Sequence, residues 1–102
     1  MNSQTYWFIT GMRDQATAQW NRKRCWGFFD NFAEADAAVV ANDGDIYEVE
    51  FEYVVIEEHH MGTIAMGTGK MFWYRWDESK QGFNRIPAPS WAPPNIIHWG
   101  IG

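Results

Sequence analysis

The chain has 102 residues, a net charge of −5 and 46% hydrophobic residues. That composition suits one globular domain over residues 1–102 and excludes a disordered chain. A pI near 5.0 argues against a general nucleic-acid binder, which carries a basic face. Cys25 is the only cysteine, so an intramolecular disulfide and a thiolate metal site are both excluded.

In chain order, Thr5-Tyr6-Trp7-Phe8-Ile9-Thr10-Gly11 is β-branched and aromatic throughout and predicts a strand. The polar stretch Met12 to Asn21 predicts a loop or an irregular hairpin, and residues 24–29 a second strand. Cys25 lies in the apolar run Cys25-Trp26-Gly27-Phe28-Phe29, where a free cysteine is expected to be a small, inert core residue. Asn31 followed by Phe32-Ala33-Glu34-Ala35-Asp36-Ala37-Ala38-Val39-Val40-Ala41-Asn42 predicts a short helix. Asn31 is its N-cap, Glu34 is placed to close a capping box, and acidic residues sit at the positive end of the helix dipole. Phe32, Ala35, Ala38 and Val39 form a narrow apolar stripe, and Gly44 is the expected stop.

Residues 45–50 look extended and polar, and 52–58 predict a third strand. Met61 to Gly69, with three glycines, reads as a turn region. Residues 70–76 predict a fourth strand, 77–80 a turn, and 81–86 a fifth strand. Prolines 87, 89, 93 and 94 exclude regular structure. The apolar tail from Asn95 to Gly102 is expected to dock as a further strand. The fold class is therefore α+β: an antiparallel sheet of five or six strands with one short helix packed on one face.

That helix is too small and too alanine-rich to cover such a sheet. Residues 6–9 and 71–76 are nevertheless apolar on both faces, which calls for cover on both sides. A second subunit is the expected cover, hence a homo-oligomer.

Seven Trp, seven Phe and four Tyr make the chain 18% aromatic. These exceed what a core of this size needs, since each buries ~150–250 Å². Much of the positive charge lies beside them: Arg13, Trp20, Arg22 and Arg24, then Trp73, Arg75 and Trp76, then His98 and Trp99 in the tail. Indole faces stack on nucleobases and guanidinium forks grip phosphates, so these nine residues are the candidate ligand-binding set for a small nucleotide.

Other motifs are weaker. His59-His60 beside Glu57-Glu58 resembles metal-ligand material, but neighbours on a strand point to opposite faces. Solvated strand-end residues are expected there, with no metal and no cofactor. Met66-Gly67-Thr68-Gly69-Lys70 lacks the phosphate-loop spacing and a following helix, and predicts a hairpin turn. No nucleophile elbow or catalytic dyad is visible, so a non-enzymatic role is expected.

The segments Gly27-Phe28-Phe29-Asp30-Asn31-Phe32-Ala33-Glu34-Ala35, Tyr53-Val54-Val55-Ile56-Glu57-Glu58, Trp73-Tyr74-Arg75-Trp76-Asp77 and Trp99-Gly100-Ile101-Gly102 resemble a family of small proteins carried by phages and mobile elements of gut bacteria. That resemblance implies a protein that counters bacterial defence by sequestering a cyclic oligonucleotide or cyclic ADP-ribose type signal. It equally fits an inhibitor that binds a host defence protein directly, as anti-CRISPR proteins do, with Glu48, Glu50, Glu52, Glu57 and Glu58 mimicking nucleic acid. A small enzyme degrading such a signal is the third alternative. Met1-Asn2-Ser3-Gln4 has neither a basic nor an apolar leader region, and no run approaches the ~20 apolar residues of a membrane span. The expected location is the bacterial host's cytoplasm, with no membrane partner.

Overall fold

In the computed structural model, residues 4–13, 23–49, 51–62 and 65–97 are described. Strands β1 (Gln4–Met12), β2 (Arg24–Phe29), β3 (Tyr53–Met61), β4 (Met66–Asp77) and β5 (Gly82–Ile86) form one open sheet in the order β2-β1-β3-β4-β5. Every neighbouring pair is antiparallel. Helix α1 (Phe32–Val40) is the single α-helix among these residues, so the fold is α+β as expected. It is not long and apolar enough to cross a membrane.

Helix α1 is set by its two ends. Asn31 is extended (φ −141, ψ 124), and its Oδ1 accepts the Glu34 N–H at 3.2 Å. At the other end Asp43 N–H donates to the Ala38 carbonyl at 2.9 Å and Asn42 N–H to that of Val39 at 3.0 Å. These are the two bonds of a Schellman stop, and Asn42 takes the left-handed position (φ 55) that the sequence assigns to Gly44. Asn42 Oδ1 also accepts the Tyr47 N–H at 3.0 Å. The chain is thereby turned into a short 3-10 helix, Ile46–Val49, where an extended segment is expected.

Ala35 and Val39 of α1, with Ile46, pack on Ile9, Val54, Ile56, Tyr74 and Phe83. The small stripe allows a close approach: a Cβ on Gly82 of β5 would lie 2.4 Å from the Val40 carbonyl oxygen. Central strand β3 is buried continuously from Val54 to Glu58 and on to His59. That explains its lack of alternation, since both of its faces are covered.

Cover for the second face comes from within the chain. Residues 87–97 carry four prolines and no regular structure. They bring Trp91, Ala92 and Ile96 over Met12, Val55 and Trp73. Trp91 meets Trp73 edge-on at 5.5 Å and Tyr53 at 5.2 Å. The tail does not add a strand at Ile96 and Ile97, and residues 98–102 lie outside the described residues. The fully buried Glu57 carboxyl accepts the Ile96 N–H at 3.1 Å and the Ile97 N–H at 3.0 Å. A side chain of the central strand thus supplies the acceptors that a neighbouring strand would have provided.

Three further expectations are corrected. His59 is fully buried, because β3 runs on to Met61 between β1 and β4. Opposite it stands Gly67, where a Cβ would come 3.3 Å from the imidazole. The glycine-rich run therefore belongs to β4 from Met66 onward and makes room for a ring. Cys25 is exposed, because β2 is an edge strand.

Gly82→Ala is expected to lower stability by about 1–3 kcal/mol, since the added methyl meets helix backbone that cannot rotate away. Urea unfolding would read this as a lower midpoint, and an unchanged midpoint would contradict the close helix–sheet contact.

Candidate ligand surface

The expected ligand set does not converge. Trp73 and Trp76 are three apart on β4 and therefore face opposite ways. Trp73 is 1% exposed beneath Trp91. Trp76 stacks on Tyr47 at 3.9 Å, with its Nε1 donating to Glu78 at 2.6 Å. Arg75 is exposed, 3.5 Å from the Glu52 carboxylate and 5.5 Å from the Tyr53 ring. Arg24 lies over Trp26 at 4.2 Å, and Arg13 is exposed at the end of β1. Trp20, Arg22, His98 and Trp99 lie outside the described residues.

An aromatic–arginine surface does form, from residues the sequence does not single out. Helix α1 starts at Phe32, and among the described residues no other element covers the sheet beyond it. There Phe32 and Phe72 sit 4.5 Å apart, and Trp7 lies 5.2 Å from Phe32 and 6.2 Å from Phe72. All three rings are half-buried. The exposed Arg85 places its guanidinium 4.4 Å from the Phe72 ring and 5.5 Å from that of Phe32.

Arg85 owes its place to the β4–β5 turn. Asp77 accepts from the Ser79 N–H at 3.0 Å, the Ser79 hydroxyl at 2.7 Å and Asn84 Nδ2 at 2.7 Å. These bonds, that of the Ser79 side chain first, hold its carboxyl below the usual range. They fix the register that sets Arg85 opposite Tyr74, on the face of Phe72. Pairing the predicted strands through the 77–80 turn would have put Phe72, Tyr74 and Arg85 on one face, which is the signal that could have found them.

On the same face, Glu58 stands directly across from Trp7 in the β1–β3 ladder. Its residue is 9% exposed. Oε1 accepts the Thr68 hydroxyl at 2.7 Å and lies 4.0 Å from His60 Nε2. Of the five acidic residues expected to mimic nucleic acid, Glu57 and Glu58 are buried, Glu52 is half exposed, and Glu50 and the side chain of Glu48 lie outside what is described. Glu57 faces the proline-rich segment, with His59 Nε2 3.1 Å from its Oε1. His59 is buried and His60 exposed, and among the described residues no three His, Cys, Asp or Glu side chains are placed to hold a metal ion.

Next to Phe72 on the same face, the buried Tyr74 donates its hydroxyl to Asp36 of α1 at 2.5 Å. Burial first and the Asp36 carboxylate second push this phenol well above its ordinary value. On the edge strand, desolvation around the sulfur raises the Cys25 thiol although the residue as a whole is exposed.

Comparison with protein-family models, curated proteins and solved structures finds no match to this chain. The functional reading therefore rests on this geometry.

A raised tyrosine pKa fixes the sign of an alkaline effect. Below about pH 10 the Tyr74 proton is held in both folded and unfolded chains, and its stabilisation is complete. Above that pH the unfolded chain loses the proton first, so stability falls. Tyr74→Phe is expected to cost about 1 kcal/mol at neutral pH and to flatten the decline above pH 10. Urea midpoints measured across pH check this, and an unchanged alkaline slope in the variant would contradict it.

Proposed function

We propose that the chain is a non-catalytic binding protein that sequesters a small nucleotide, of the cyclic oligonucleotide or cyclic ADP-ribose type, at the Trp7–Phe32–Phe72–Arg85 surface. The observation that carries this reading is the Arg85 guanidinium held over half-buried rings at the end of the sheet that α1 leaves open. Aromatic rings give a nucleobase a stacking floor worth ~1–3 kcal/mol per base. An exposed guanidinium beside them supplies a two-pronged phosphate contact. Sequestering such a signal would counter a bacterial defence that depends on it, which is the role implied by the resemblance to phage and mobile-element proteins.

A second reading has one observation in its favour. Phe28 on edge strand β2 is 57% exposed, with Tyr6 against it edge-on at 5.3 Å. An exposed aromatic ring on an edge strand, backed by a half-buried tyrosine, fits direct contact with a protein, either a host defence effector or a second copy of the chain.

Isothermal titration against cyclic di- and trinucleotides and cyclic ADP-ribose isomers tests the first reading. Binding of at least one is expected, weakened about tenfold to a hundredfold by Arg85→Ala, with ligand recovered intact on denaturing the protein. No binding across the panel would sink it. Loss of intact ligand would turn the reading towards an enzyme.

A further inference from the structure

We infer that the base taken at this surface is guanine, recognised by the Glu58 carboxyl beside Trp7. The inference rests on the nucleotide reading and adds the identity of the base.

Glu58 is placed unlike the other acidic residues near the rings. It stands across from Trp7 in the ladder, on the face that carries Phe32 and Phe72. Its side chain is 11% exposed, so whatever it binds meets it largely out of water. The Thr68 hydroxyl anchors Oε1 at 2.7 Å, and Oε2 accepts no hydrogen bond among the described residues. Thr68 is itself fixed by the turn of β4, since its Oγ1 accepts the Lys70 N–H at 3.2 Å. His60 Nε2 lies 4.0 Å from Oε1, and its side chain is half exposed. The carboxyl is therefore oriented at one oxygen and open at the other.

A carboxylate only accepts hydrogen bonds. A base stacked on Trp7, the cross-strand neighbour of Glu58, meets the carboxylate by its edge. Guanine offers two adjacent donors there, N1–H and the N2 amino group, matching a carboxylate in two parallel bonds. Adenine places the N1 lone pair where guanine has a proton, so it meets the same oxygens with one donor and one repulsion. Uracil and cytosine offer at most one donor beside an acceptor. Arg85, over Phe72, supplies charge for the phosphate while Glu58 supplies selectivity. A buried site built to accept hydrogen bonds rejects a ligand that leaves it unpaired.

Titration calorimetry with cyclic di-GMP and cyclic di-AMP, and with GMP and AMP as single-base probes, tests this on the wild-type chain and on Glu58→Gln. Wild type is expected to favour guanine by about tenfold to a hundredfold. Glu58→Gln keeps an acceptor for Thr68 but presents an amide to the base. It should lose most of that preference through weaker guanine binding, while adenine binding holds or improves. Thr68→Val, which removes the anchor and leaves the carboxylate, should weaken guanine binding several-fold and serves if Glu58→Gln does not fold by circular dichroism. Equal binding of guanine and adenine by wild type overturns the inference and leaves the nucleotide reading intact. So does a guanine preference unchanged in the variants. Failure of all probes, and of the wider panel, removes the nucleotide reading itself.

Discussion

The Glu57 carboxyl group holds this fold closed. It lies at the centre of β3, fully buried, and accepts the backbone N–H groups of Ile96 and Ile97. A carboxyl group buried without partners is costly, and so are two buried amides without acceptors. Each of these groups removes the other's penalty, and the bond pair crosses about forty residues of chain. Four prolines deny the segment before it a place in the sheet, so side-chain acceptors are what tie that segment down. Once it is tied, Trp91, Ala92 and Ile96 close over Met12, Val55 and Trp73. Central strand β3 can then be apolar on both faces without leaving either face to water.

Much of this was legible in the sequence where the signals are local. Asn31 and Glu34 mark the start of the helix, the β-branched and aromatic runs mark the strands, and the prolines end the regular structure. What was not legible depends on residues distant in the chain. Glu57 and His59 read as solvated strand-end groups because acids and histidines usually are. Only the register of β3 against β1 and β4 puts them at the centre, with Gly67 leaving space for the imidazole. Cys25 reads as core because its neighbours are apolar, yet β2 lies at the edge. Charge beside tryptophan along the chain marked the aromatic–arginine theme but not its members, because Arg85 and Phe72 are joined through the β4–β5 turn and not by adjacency.

The distribution of the aromatic residues links fold to function. Trp73, Tyr74 and Phe83 are spent in the two cores. Trp7, Phe32 and Phe72 are half-buried because nine residues of helix end before the sheet does. Arg85 lies over Phe72, and Glu58, anchored by Thr68, stands across from Trp7. A single short helix therefore has two consequences: it closes one core, and it leaves a half-buried cluster of tilted aromatic rings with a guanidinium and a carboxyl group beside it. That arrangement suits capture of a planar, charged ligand.

Because closure of the second face depends on Glu57, the most direct measurement is backbone hydrogen exchange of Ile96 and Ile97, followed by nuclear magnetic resonance at neutral pH. Both amides should exchange as slowly as the ladder amides of β3, and Glu57→Ala should release them to near the rate of an unstructured chain while β3 stays protected. Rapid exchange of Ile96 and Ile97 in the wild-type protein would contradict the account.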